Sequence, residues 1–365
     1  MKNLSTLLLL LASSSTLLTT VGYAQAINTE AATAYWNLTD ALRRDEPLTD
    51  QAWQTFLAIP TNQVYVRECF RGPADIARYR QILQEVYRPG SDSLVQAKLR
   101  AKAWYYVLLS EYKEQELHYK QFLLETVKKP VFLETMYTNA YAYLPIRDHL
   151  RIPDLKLSYV ALGNDATSQQ EGIVFSVYDA YQYATFRPGL LEAHELHHQL
   201  RSQKNLGTIA PIDVSLLWSL SSAQNEGIAD LTDKKVLLEQ SSDSTDIRNW
   251  LLKPAPAVIQ KIDSTLQVLA RGGPATPISF YRGLTQGSNG HIPGFFMAYT
   301  ILRNGYRQAL LEQADDPVAF ALLYQRAASK DPLHPPVFSA ASVSYLRRLA
   351  HRYKHPRSAP ITPVP

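Results

Sequence analysis

Apolar residues recur at three- and four-residue spacing through Ala31 to Arg44, Ala74 to Tyr87 and Leu94 to Lys128, so the first part of the chain predicts helices. Tyr105, Tyr106, Tyr112 and Tyr119 lie in the last of these runs, and aromatic stripes of this kind pack helices together. Pro130 and Pro145 interrupt the region. The period shortens after Pro153. LKLSYVAL, Leu155 to Leu162, alternates and ends in the turn signal Gly163-Asn164-Asp165, and GIVFSVY, Gly172 to Tyr178, is a second β-rich run. They predict two neighbouring strands of a small sheet, joined by a polar loop from Ala166 to Glu171. Helical spacing then returns in Pro188 to Gln203, Ser215 to Glu239, Pro293 to Gln313 and Ala340 to Tyr353. Pro188 sits in a first turn, where proline is tolerated. The pattern as a whole predicts a predominantly helical α+β protein without internal repeats.

The two ends stand apart from this pattern. Lys2, the leucine run Leu7 to Leu11 and the small-x-small triplet Ala24-Gln25-Ala26 form a secretory signal, with the mature chain starting near Ile27. The polar break at Ser13 to Thr16 argues against a spanning anchor, which needs about 20 mostly apolar residues. A periplasmic or extracellular destination without stable membrane insertion is expected. The last residues, 356–365, are proline-rich and predicted to be disordered. Between the ends we expect a helical region over residues 27–150 and a second domain over 151–355.

Charge and cysteine content narrow the chemistry. The formal charge is +4, from 37 basic and 33 acidic residues, with no strongly basic half, which argues against a nucleic-acid partner. The one cysteine, Cys69 in VRECFRG, cannot form an internal disulfide and has no histidine nearby in sequence. It reads as a buried, inert thiol.

The informative stretch is GLLEAHELHHQL, Gly189 to Leu200. His194 and His198 are four residues apart and share one helical face, so both imidazoles can reach a single ion. Glu195 follows the first histidine directly. This is H-E-x-x-H, in which two histidines bind zinc and the glutamate serves as general base. His197 could compete as a ligand, but the pair 194/198 keeps Glu195 in its place, and His197 is expected to line the cleft or pack near it. A catalytic zinc takes a third protein ligand. Asn225-Glu226-Gly227-Ile228-Ala229-Asp230 supplies Glu226 as that ligand, and Asp230, one turn on, can accept the outer N–H of a ligand histidine. Asn225 can make a similar contact, and Gly227 lets the two helix backbones approach closely.

HELHH followed by NEGIAD resembles the gluzincin clan of zinc metallopeptidases, in which H-E-x-x-H on one helix is completed by N-E-x-x-x-D on the next. The resemblance implies a zincin-like catalytic core and one zinc ion held by His194, His198 and Glu226. It further implies Glu195 as base and Asn225 and Asp230 as the groups behind the ligands. It runs from about Leu155 to about Gly305, and the chain also resembles secreted bacterial zinc-dependent peptidases. The 27 residues between His198 and Glu226 make a longer connection than in thermolysin-like enzymes. Downstream, Asn289-Gly290-His291-Ile292-Pro293-Gly294 is similar to the thermolysin-type G-x-H-I-x-x-G segment, shortened by one residue. That likeness places His291 as the donor that stabilises the oxyanion, with Tyr299 and then Tyr281 as further candidates.

A secreted zinc-dependent peptidase acting on peptide or protein substrates is therefore expected. Strand Gly172 to Tyr178, if at the sheet edge, would align the substrate. The alternative is a secreted zinc-stabilised binding protein without catalysis, its fourth metal position filled by the protein.

Overall fold

A computed structural model describes residues 26–285 and 287–354. The expected signal segment, Ala26 excepted, and the proline-rich tail lie outside the described residues. The α+β expectation holds: many helices surround one four-stranded sheet. None of the described helices is long and apolar enough to cross a membrane.

The sheet contains β1 (Ala26–Asn28), β2 (Lys156–Val160), β3 (Ala166–Gln169) and β4 (Gly172–Ser176), in the order β1-β2-β4-β3. The expected strands are neighbours, with β2 and β4 parallel. The segment from Ala166, expected to be loop, forms β3, which pairs antiparallel with β4 from Ala166↔Phe175 to Gln169↔Gly172. Only Gln170 and Glu171 remain as a tight connection. Polar composition hid this strand, as it does for an edge strand with one face wet. The correction matters for the cleft: β4 is internal, and β3 is an edge strand, as β1 is on the far side. At Val177 the chain already turns into a helix, Val177–Ala184.

The helices are shorter than the apolar pattern suggests. Leu94 to Lys128 is cut into Asp92–Arg100, Trp104–Glu114, Glu116–Phe122 and a π-helical turn, Leu123–Val127. The run Ser215 to Glu239 divides into Val214–Ala229 and Lys234–Gln240. Pro293 to Gln313 becomes His291–Arg303 and Arg307–Glu312, with positive-φ Gly305 between them.

Two apolar cores organise the chain. The first holds the N-terminal helices, the sheet and the histidine helix, Leu190–Leu200, and extends from Ala31 to Leu200. The second extends from Leu216 to Tyr353 and contains the glutamate helix, Val214–Ala229. Polar contacts stitch the seam. Arg201 donates to Gln224 Oε1 (3.0 Å) and to the Ala314 carbonyl (3.1 Å), and Lys204 pairs with Asp316 (2.6 Å).

A close helix crossing follows the glutamate helix. Gly227 faces helix His291–Arg303 rather than the histidine helix: a Cβ on Gly227 would come within 2.2 Å of the Gly294 carbonyl carbon. A Cβ on Gly294 would meet the Ala223 carbonyl oxygen at 2.1 Å. Gly227→Ala must therefore push two helix backbones apart, and we expect a loss of about 2–4 kcal/mol in denaturant unfolding. Gly283→Ala, at an exposed position of helix Ile278–Leu284 with open space around it, should be neutral or stabilising by up to about 1 kcal/mol. Equal effects at both positions would contradict this packing.

Candidate metal centre

The histidine helix begins after Gly189, whose φ of 77° suits glycine. Ala193, Leu196 and Leu200 bury one side of the helix in the first core. That fixes its rotation and turns His194, Glu195 and His198 toward a cleft of about 1780 Å³. His197 is buried on another side, with Nε2 3.3 Å from the Tyr143 carbonyl oxygen. Burial, then the neighbouring His198 and Arg201, push its imidazole well below the usual histidine range. It packs the helix and does not line the cleft.

Across the seam the glutamate helix delivers Glu226. Its Oε2 is 3.3 Å from His198 Nε2 and 3.7 Å from His194 Nε2, and the two imidazole Nε2 atoms are 3.1 Å apart. Ligand atoms held tetrahedrally at the roughly 2.0–2.1 Å typical of zinc lie about 3.3–3.4 Å apart. The triangle thus has the size of one face of a zinc coordination shell. Glu195 joins the same group, with a ligand atom within 4.8 Å of those of His194 and His198. The donor set of two imidazoles and one carboxylate suits zinc chemically as well.

The charges behave as this arrangement requires. Burial opposes ionisation of Glu226, but the facing His198 and His194 hold its carboxyl well below the usual range. Burial raises Glu195, against the opposing pull of His198 and His194. A carboxylate whose proton affinity is raised in this way is suited to take up a proton.

The supporting groups differ from the sequence expectation. Asp230 does not orient His194; both its oxygens lie 3.0 Å from His291 Nδ1, and it is 3.7 Å from His194 Nδ1. The partner of His194 is Asp233, whose Oδ1 is 3.1 Å from His194 Nδ1. Asp233 also accepts from the Lys234 backbone N–H (2.7 Å) and the Lys234 ammonium (2.6 Å). The helix break makes this possible. Leu231 and Thr232 donate to carbonyls three residues back, tightening the turn before Asp233 caps the next helix. The sequence did carry a signal: Asp233 is seven residues, two helical turns, beyond Glu226. Asn225 turns its Nδ2 to Glu226 Oε1, 3.4 Å away, rather than to a ligand histidine.

His291 is the first residue of its helix, after Gly290 at φ 108°. Its Nε2 is 3.4 Å from Glu226 Oε2, its ring stacks 5.8 Å from that of His194, and it lines the same cleft. Burial alone would lower its proton affinity, but Asp230 raises it. The two tyrosines are elsewhere. Tyr299 is two turns further along the helix and donates to Glu239 (3.3 Å), and buried Tyr281 donates to Thr265 (3.0 Å). Neither lines the cleft. Cys69 does line it and is only partly buried; burial, then Asp165 and Glu195, push its thiol up, consistent with an unreactive group.

Groups that hold the outer nitrogen of a metal-binding histidine generally change metal affinity 10- to 100-fold. Asp233→Asn should weaken zinc binding by about that factor in a chelator competition. Asp230→Asn, which acts on His291, should change it less. The reverse ranking would return Asp230 to the role expected from sequence.

Comparison with curated proteins and with solved structures gives no match. A family model does match: the one described as "Putative zinc dependent peptidase" covers residues 53–333. That span includes both helices of the candidate centre, His291 and the whole sheet except β1. The match covers well over half of the 365 residues, and the chain belongs to this family, DUF5700.

Proposed function

We propose that the protein is a zinc-dependent peptidase of the gluzincin type. The observation that carries this reading is the triangle of His194 Nε2, His198 Nε2 and Glu226 Oε2, with edges of 3.1, 3.3 and 3.7 Å, opening on a large cleft beside Glu195. His194, His198 and Glu226 would hold one zinc ion. Bound there, zinc supplies Lewis acidity, polarising a carbonyl and lowering the pKa of water toward about 7.

The chain's own groups do the rest. Glu195, kept protonatable by burial, takes a proton from the attacking water and passes it to the departing amine. Asp233 holds His194 in the tautomer that leaves Nε2 free for the metal. Asp230 accepts from His291 Nδ1–H and favours the charged imidazole, so that Nε2–H can donate to the oxyanion that develops on the substrate. β3, the edge strand along the cleft, offers unpaired main-chain groups to an extended peptide. The N-terminal residues 1–26 support export to the periplasm or the medium.

One observation favours the non-catalytic alternative. His291 Nε2 is as close to Glu226 Oε2 (3.4 Å) as the histidines of the triangle are, and a fourth protein ligand would close the site. The width of the cleft favours the open site.

Glu195→Gln should retain one zinc per chain and lose at least about 100-fold in the rate of cleavage of an unstructured protein. An unchanged rate rejects Glu195 as base. His291→Ala should lower the rate with little change in zinc affinity; a collapse of zinc affinity would favour the closed, non-catalytic site.

A further inference from the structure

One more element reaches the cleft from the second core. Residues Arg248–Leu252 form a π-helical turn shortly before Pro254. Turns of this kind shift successive side chains out of the α-helical register and occur frequently at functional sites. Leu251 is fully buried, whereas the adjacent Trp250 remains 41% exposed. Its ring lines the same cleft as His194, Glu195 and His291. The indole centroid is 5.7 Å from that of His291, at 46°. A substrate carbonyl between His291 and the ligand triangle would therefore place a flanking side chain within reach of the indole.

We propose that Trp250 forms a subsite selecting peptides with a bulky apolar or aromatic side chain next to the bond that is cleaved. This rests on the peptidase reading above. An exposed indole beside a catalytic group gains stability when an apolar side chain covers it, and aromatic pairs add to the gain from buried area alone. The π-turn fixes the indole through Leu251, anchored in the core, so little ordering is required on binding.

The test separates binding from turnover. Zinc-loaded full-length Glu195→Gln protein is titrated calorimetrically with hexapeptides that differ at one position, occupied by Phe, Leu, Lys or Ala. Phe and Leu should bind about tenfold tighter than Ala. Adding Trp250→Ala should reduce that preference to about twofold or less, and Trp250→Phe should retain most of it. The proposal is overturned if the preference survives Trp250→Ala, if Trp250→Phe loses it as completely, if the four peptides bind alike, or if none binds. It is overturned too if Lys is preferred through Trp250, which would make the indole a cation platform. Peptides that bind with this preference yet are not cleaved by the wild-type protein would defeat the peptidase reading and leave the subsite standing.

Discussion

The structure depends on one convergence: a carboxylate from one apolar core is held against two imidazoles from the other. Glu226 belongs to a helix packed in the second core, and His194 and His198 to a helix packed in the first. Partly buried charged groups are costly unless they are paired or bind a metal. The seam contacts of Arg201 and Lys204 hold the two helices at a separation at which the three ligand atoms can share one ion. The Gly227–Gly294 crossing extends the same constraint to the next helix and brings His291 beside Glu226.

The groups behind the ligands form two parallel pairs. Asp233 holds His194, and Asp230 holds His291. Each imidazole is fixed at Nδ1 and presents Nε2 to the centre, so orientation is settled before metal or substrate arrives. Lys234 occupies the second oxygen of Asp233 and keeps that buried carboxylate paired on both sides. The fold can provide both pairs because the glutamate helix ends at Ala229 and the tightened turn re-aims Asp233.

Much of the centre could be read from sequence, because helical spacing converts directly into geometry. His194, Glu195 and His198 follow from a four-residue interval, and Glu226 from the need for a third ligand. The sequence points to Asp230 rather than Asp233 as the group behind a ligand histidine because Asp230 lies one turn beyond Glu226; the hydrogen-bonded tightening at 230–233, which re-aims Asp233 toward His194, leaves no signature in composition. Periodicity does not reveal which side of a helix faces which neighbour, so Gly227 was set against the histidine helix when its partner is Gly294. β3 has the composition of a loop because an edge strand needs few apolar residues. Tyr299 was grouped with His291 by proximity in sequence, but two turns of helix carry it to Glu239 and away from the cleft.

The central claim is best tested by zinc K-edge absorption spectroscopy on the zinc-loaded protein, read together with its crystallographic coordination. The account predicts one ion with three protein ligands, the Nε2 atoms of His194 and His198 and a carboxylate oxygen of Glu226, at about 2.0–2.2 Å. A shell that includes His291 as a fourth protein ligand, or an ion bound without Glu226, would contradict it.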